Sequence, residues 1–201
     1  MYYGYKISDY TADLARRAEE DCREVFRKID ENALKCSAKV LTAFQECRVS
    51  TADFLEITGY GYTDSGRDKL EEVCAKIFGA EDALVRPQLM SGTHALFVTL
   101  GGLLKPGDTL LYITGEPYDT LKSVIGTAGD SRNSLIKYGV KYEEIDLIDS
   151  EFNLEAIRKR LEAGDVKVAA IQRSRGYSQR KSLTIYTPLS KVRVSSLLNS
   201  Y

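Results

Sequence analysis

The chain has no long apolar run, no excess of either charge and no paired-cysteine motif, and each absence removes a class of function. Lys and Arg number 28 and Asp and Glu 29, a formal net charge of -1, so no global basic field points to nucleic acid. No stretch reaches the uninterrupted apolar length of a membrane span. The first residues, Met1-Tyr-Tyr-Gly-Tyr-Lys6, are polar-aromatic and lack the apolar core of a signal peptide. The cysteines, Cys22, Cys36, Cys47 and Cys74, match no metal-ligand spacing and include no C-x-x-C. They fall in segments that read as helix, which predicts reduced, mostly structural thiols in a reducing, cytoplasmic setting, and no metal site. There are no internal repeats and no low-complexity stretch. A single histidine, His94, leaves little scope for imidazole chemistry.

What is present is the composition of a soluble globular protein, 43% hydrophobic and 28% charged over 201 residues. That length suits one large domain or a domain with an extension. In "SDYTADLARRAEEDCREVFRKID", Leu14, Ala18, Cys22, Val25, Phe26 and Ile29 recur at three- and four-residue steps, which predicts a helix capped by Ser8 or Asp9. "NALKCSAKVLTAFQECRV" continues the pattern through Val40, Leu41 and Phe44, with a break expected at Asn32. An arm of this kind commonly packs against a partner subunit. Glycines 59, 61 and 66 then mark a loop that imitates a dinucleotide fingerprint without the strand that should lead into it. "GRDKLEEVCAKIFG" reads as helix with Gly79 as its stop.

Beyond Gly79 the pattern alternates. "DALVRPQLM", "DTLLYIT", "YEEIDLI" and "VKVAAIQRS" read as strands; "GTHALFVTLGGLL", "YDTLKSVIG" and "NLEAIRKRLEAG" read as helices. The predicted fold class is therefore α/β: a helical N-terminal arm followed by a mostly parallel sheet with flanking helices. The expected divisions are a helical arm over 1–58, an α/β domain over 59–185 and a divergent tail over 186–201.

Three stretches carry chemistry. Ser91-Gly92-Thr93 stand where a strand hands over to a helix, so their N–H groups are unpaired donors at a positive helix end. Gly92 would let an anion approach the backbone, and the Ser91 and Thr93 hydroxyls could add donors. The other reading is an ordinary cap by Ser91. Tyr118 lies just past the next strand, on the sheet edge where α/β ligands bind, and could stack on a planar ring or lie on the surface. Arg173, Ser174, Arg175 and Tyr177 end a later strand, either crowding that same edge with positive and hydroxyl groups or forming a solvated basic loop.

Together "GYGYTDSGRDKLEEVCAKIFGAEDALVRPQLMSGTHAL", "PGDTLLYITGEPYDTL" and "IQRSRGYSQRKSLTI" resemble the aluminium-resistance, or methionine-gamma-lyase-related, family of fold-type-I pyridoxal-phosphate enzymes, which are cystathionine-lyase-like. The resemblance runs from the N-terminal helices to about Ile185. It implies part of the large domain of such an enzyme, and the chemistry of a pyridoxal 5'-phosphate-dependent carbon-sulfur lyase acting on a sulfur-containing amino acid. It implies that Ser91, Gly92 and Thr93 hold the cofactor phosphate and that Tyr118 stacks on the pyridine ring. It further implies that Arg173, Ser174, Arg175 and Tyr177 line the site near the ring hydroxyl, and that Tyr60 or Tyr62 reaches the cofactor phosphate of a neighbouring subunit. The implied partners are a small amino-acid substrate and further copies, as a dimer or tetramer, with no nucleic acid and no membrane.

The sequence also departs from that family. The Schiff-base lysine and the aspartate that protonates the pyridine nitrogen come after "QRSRGYS" in the family, and no counterpart of either is found here, so no catalytic residue is assigned. Lys181 sits in a charged stretch and Lys191 in the unrecognised tail, and neither has the buried setting such a lysine needs. "YTPLSKVRVSSLLNSY" departs from the amphipathic helix expected after "SLTI". The alternative to a lyase is a non-catalytic fragment, or half of a split enzyme that binds a complementary chain; a third reading is an unrelated α/β binder of a phosphate ligand.

Overall fold

The computed structural model describes residues 3–57, 64–129, 132–176 and 179–183, and the backbone of 197–200. The chain forms two compact units, Met1–Gln88 and Leu89–Tyr201.

The first unit is helical. α1 spans Asp9–Glu46, 38 residues, and begins at Ser8, whose Oγ accepts the Thr11 N–H. The break expected at Asn32 does not occur. No glycine or proline stands between residues 9 and 46, and Arg27 pairs with both Glu24 and Glu31, so nothing interrupts the hydrogen-bond ladder and local charge reinforces it. A 3-10 turn, Thr51–Phe54, leads on to α2, Ser65–Phe78. Asp64 caps α2 through the Arg67 N–H at 3.1 Å and pairs with the Arg67 guanidinium at 2.7 Å. Gly79 ends α2 in the left-handed region, φ 65°, as its position past the last turn predicts. Ala43, Cys47 and Val73 form a small core with Val49 and Ile77.

Gly66 has a specific steric role. A Cβ built on it would lie 2.2 Å from the carbonyl oxygen of Asp53, so α2 approaches the 3-10 turn closely only because residue 66 has no side chain.

The strand predicted over 82–90 is not formed. The Val85 N–H donates to the Glu71 carboxylate at 2.8 Å and Arg86 pairs with the same carboxylate at 2.7 Å. A turn follows at Pro87 and Gln88, and Leu84 and Met90 are exposed. An apolar run becomes a strand only beside another strand, and every described strand lies in the second unit.

That unit follows the predicted alternation: α3 (Gly92–Leu103), β1 (Thr109–Tyr112), α4 (Asp119–Ile125), β2 (Lys141–Glu144), α5 (Leu154–Leu161), β3 (Val166–Gln172) and β4 (Leu197–Ser200). All three sheet pairings are parallel, in the order β2-β1-β3-β4. The segment set apart as a divergent tail thus ends in a strand against β3, with Ala170 opposite Leu198.

The pleat sorts the core into two layers. Leu110, Tyr112, Val168 and Ala170 pack with Leu100 of α3, with Leu104 at its C-cap and with Leu121 and Ile125 of α4. Leu111, Ile113 and Ile171 pack with Ile157 of α5. Successive residues therefore serve opposite faces, and a parallel sheet covered on both faces reads as a continuous apolar run. Arg160 of α5 clamps the far edge, donating to Glu143 of β2 at 2.5 and 2.9 Å and to Asp165 at 2.6 and 3.1 Å.

Candidate functional site

The strand order locates the crevice. From β1 the chain moves to β2 on one side and then crosses to β3 on the other, so the connections diverge above the carboxyl ends of β1 and β3. Open α/β sheets bind ligands at such a switch point. A cavity of 660 Å³ opens there, within the range of small-molecule sites, with Tyr118, Asp146, Gln172, Arg175 and Arg180 in its wall.

Gln172 ties the two strand ends together. It is 6% exposed. Its backbone N–H donates to Thr114 Oγ1 at 3.0 Å, its Oε1 accepts the Tyr118 N–H at 2.7 Å, and its Nε2 donates to the Ser174 carbonyl at 3.3 Å. Tyr118 is the N-cap residue of α4, with φ -56° and ψ 145°. The amide bridge therefore sets where the Tyr118 ring leaves the backbone. On that ring lies Gly176, φ 55°, where an added Cβ would come 3.0 Å from Tyr118 Cδ2.

Arg180 fastens the loop that carries Gly176. Its guanidinium donates to the carbonyls of Gln172 at 2.9 Å, Ser174 at 2.7 Å and Lys181 at 3.1 Å, and burial lowers its pKa from the ordinary value. The Leu183 N–H donates to the Arg173 carbonyl at 3.1 Å and closes the loop's base. Arg173 Nε reaches the Leu183 carbonyl at 3.5 Å, Arg175 stands in the cavity wall, and Ser174 contributes its carbonyl to the clasp.

At the start of α3, Ser91 caps the helix: its Oγ accepts the His94 N–H at 3.1 Å and its carbonyl accepts the Ala95 N–H at 3.0 Å. The cap and the donor cradle coexist, because the Gly92 and Thr93 N–H groups precede that of Ala95, the first to donate within the helix. A Cβ added at Gly92 would meet nothing within 4 Å, so the turn is uncovered on that side. His94 Nδ1 accepts the Met90 N–H at 3.3 Å, which places the proton of the neutral ring on Nε2 and gives the histidine a local bracing role.

Thr93 Oγ1 lies 2.7 Å from Thr120 Oγ1, joining the first turns of α3 and α4. Ser91, Gly92 and Thr93 thus stand at the same sheet end as Tyr118, although they do not line the 660 Å³ cavity themselves. Tyr60, Tyr62 and Tyr177 lie outside the described residues. Sequence reasoning missed Gln172, Thr120 and Arg180. The first is signalled by an amide at the last position of a buried strand. The other two act through contacts with segments 27 and six to eight residues away, which no local pattern reveals.

Acidic groups share the crevice. Asp146 Oδ1 lies 2.9 Å from where a Cβ on Gly115 would sit, and Gly115, φ 75°, makes room for it. Glu116 accepts from Lys122 Nζ at 2.5 Å, which raises the lysine's pKa. Among the described residues no cluster of histidine, cysteine and carboxylate side chains is suited to a metal ion. No described helix is long and apolar enough to cross a membrane.

The methionine gamma-lyase family profile matches residues 11–195, nearly the whole chain. The chain belongs to the methionine gamma-lyase family. Membership covers both units described above and extends into the segment expected to be foreign to the family. The uncharacterised protein YnbB of Bacillus subtilis (strain 168) is 42% identical over 173 residues, which is 85% of this chain and 41% of YnbB. The structure of a carbon-sulfur lyase involved in aluminum resistance from Clostridium novyi NT is 42% identical, with a TM-score of 0.82, over 89% of this chain and 43% of that one. The pyridoxal-5'-phosphate-dependent protein YhfS of Escherichia coli shares the fold over 75% of this chain and 38% of its own, at 22% identity and a TM-score of 0.54. This chain therefore spans less than half the length of these relatives.

Proposed function

We propose that the chain supplies the cofactor-binding part of a pyridoxal-phosphate-dependent carbon-sulfur lyase that acts on a sulfur-containing amino acid. The observation that carries this reading is the Thr93–Thr120 link, which sets the open donor turn of α3 at the same switch point as Tyr118. The residues present fit the cofactor. Its phosphate is a dianion, and the α3 turn offers two unpaired N–H groups, two hydroxyls and no side chain at Gly92.

In this reading Ser91, Gly92 and Thr93 hold the phosphate and Tyr118 lies along the ring. Gln172 fixes the Tyr118 backbone, and Arg180 holds the loop of Arg173, Ser174, Arg175 and Tyr177 against the ring hydroxyl. Tyr60 or Tyr62 serves the site of a neighbouring copy, so the whole enzyme is a dimer or tetramer. When bound, pyridoxal phosphate accepts the electrons left on the amino acid when its α-proton departs. This chain's residues anchor, orient and shield that group. The lysine and aspartate of the family's chemistry are assigned to the part of the relatives this chain does not span. The four free thiols support a reducing, cytoplasmic setting.

The test is retention of pyridoxal phosphate by the chain in equilibrium dialysis, beside pyridoxal without the phosphate. Phosphate-dependent retention that Gly92→Asp abolishes is the expected result. Equal retention of the two compounds, or by wild type and variant, overturns the reading. The alternative reading is half of a split enzyme that binds a complementary chain. It expects cofactor retention to rise sharply when a chain carrying the remaining part is added.

A further inference from the structure

We infer that Ser150, held in a strained turn between β2 and α5, is a positioning residue that latches the loop resting on Tyr118. Its effect on the loop stands on geometry alone; its effect on the cofactor rests on the reading proposed above.

The turn is strained as built. The Ile148 N–H donates to the Glu151 carbonyl at 3.0 Å, and the Glu151 N–H to the Ile148 carbonyl at 2.8 Å. The two residues between them, Asp149 and Ser150, both lie in the left-handed region, with φ 50° and 67°. Two-residue turns of this hand favour Asp or Asn followed by Gly, because a Cβ crowds the backbone there. Asp149 suits the first position, but Ser150 stands where glycine is expected. Packing does not force the choice, since Ile148 is 57% exposed and Asp149 is exposed too. Strained conformations of this kind gather at functional sites. A serine kept there supplies a hydroxyl that glycine lacks.

That hydroxyl reaches the loop after β3. Ser150 Oγ accepts the Lys181 N–H at 3.4 Å. The Lys181 carbonyl accepts from Arg180, whose guanidinium also holds the carbonyls of Gln172 and Ser174. Gln172 in turn accepts the Tyr118 N–H. A path of hydrogen bonds therefore runs from the β2–α5 connection to the tyrosine. The start of the same connection is anchored as well. The Gly115 N–H donates to the Ile145 carbonyl at 2.9 Å, and Asp146 occupies the space that a side chain at Gly115 would need. Asp146, Leu147 and Ser150 consequently stand in the wall of the 660 Å³ cavity. The strand order explains why a side chain must make the tie. β1 separates β2 from β3, so no ladder joins the connection after β2 to the loop after β3.

The test separates the hydroxyl from the turn. Ser150→Gly keeps the turn and relieves it, whereas Ser150→Asn also suits the left-handed region and restores an acceptor. In hydrogen exchange of the full chain without cofactor, the Lys181 amide should exchange about fivefold faster in Ser150→Gly than in wild type. It should return toward the wild-type rate in Ser150→Asn. The urea midpoint should rise in both variants. Pyridoxal-phosphate retention should nevertheless fall about threefold in Ser150→Gly and recover in Ser150→Asn. A serine that only shapes the fold predicts retention that follows stability. An unchanged Lys181 amide in Ser150→Gly, or retention equal to that of a binding wild type, overturns the inference. If the wild type retains no pyridoxal phosphate, the cofactor reading fails and the Lys181 exchange rates decide the latch.

Discussion

The two units of this protein hold themselves together in opposite ways. In the second, Leu110, Leu111, Ile157 and Val168 are fully buried, and strands and helices from residues 92 to 172 bury one another on both faces of a parallel sheet. In the first, a 38-residue helix buries only Ala12 and Ala43. Its support is local: backbone hydrogen bonds, a Ser8 cap, and ion pairs three or four residues apart. Non-local burial is cooperative and strong, whereas local support is incremental and weak, a few tenths of a kcal/mol per pair. Apolar residues left outside by the weak scheme are therefore informative: nothing within the described unit uses them.

The sharpest way to break this contrast is a truncation in each unit. Leu110→Ala should cost roughly 3 kcal/mol by urea denaturation, because it leaves a cavity in the layer beneath α3 and α4. Leu14→Ala, measured dilute enough to be monomeric, should cost less than about 0.5 kcal/mol. Equal costs would mean α1 is packed as tightly as the sheet.

Alkali should come next and act on the second unit. Burial raises Tyr112 from the ordinary 10.0 to about 12, and burial and the Glu144 hydrogen bond push its neighbour Tyr142 the same way. A raised pKa favours the protonated phenol in the fold. Its stabilisation is therefore complete below about pH 10 and is lost as pH rises through about 12. The last phenols to ionise should do so together with the loss of tertiary signal in that window, and ionisation of every tyrosine below it without unfolding would refute the burial. Replacement of Tyr112 by Phe should shift the transition upward.

Gly66→Ala should cost about 2 kcal/mol within the first unit, since the new methyl group meets the Asp53 carbonyl. Protection of the Thr51–Phe54 turn in hydrogen exchange would report it. Ser91→Ala should cost about 1 kcal/mol, the worth of a helix cap, and should lower pyridoxal-phosphate retention only partly. Smallest of all, 1 M salt should reduce the helicity of α1 slightly and leave the core of the sheet unchanged.

Much of this architecture is legible in the residues. Gly79 stops α2 because the left-handed conformation needs no Cβ, and Ser8 and Ser91 start their helices because a short hydroxyl side chain reaches an unpaired N–H. The runs at 109–112 and 166–172 announce buried strands by being apolar on both faces. Two expectations went astray, one through local charge and one through a distant side chain. Asn32 is a weak helix former, but Arg27 pairs with Glu24 one turn before it and Glu31 one turn after it, and the helix runs through. Leu84 and Val85 look like strand, but Glu71, fourteen residues back from Val85, took the N–H a ladder would have used.

By itself, the order of residues determined where the capped helices start, where Gly79 ends one, and which runs are apolar on both faces. Those properties follow from the hydrogen-bonding reach and shape of each side chain and its near neighbours. Tertiary structure alone decided that β1 and β3 lie side by side, that Gln172 braces Tyr118 across 54 residues, and that Thr93 meets Thr120. Such contacts depend on which faces must be buried together, and that is settled only when the whole sheet is covered.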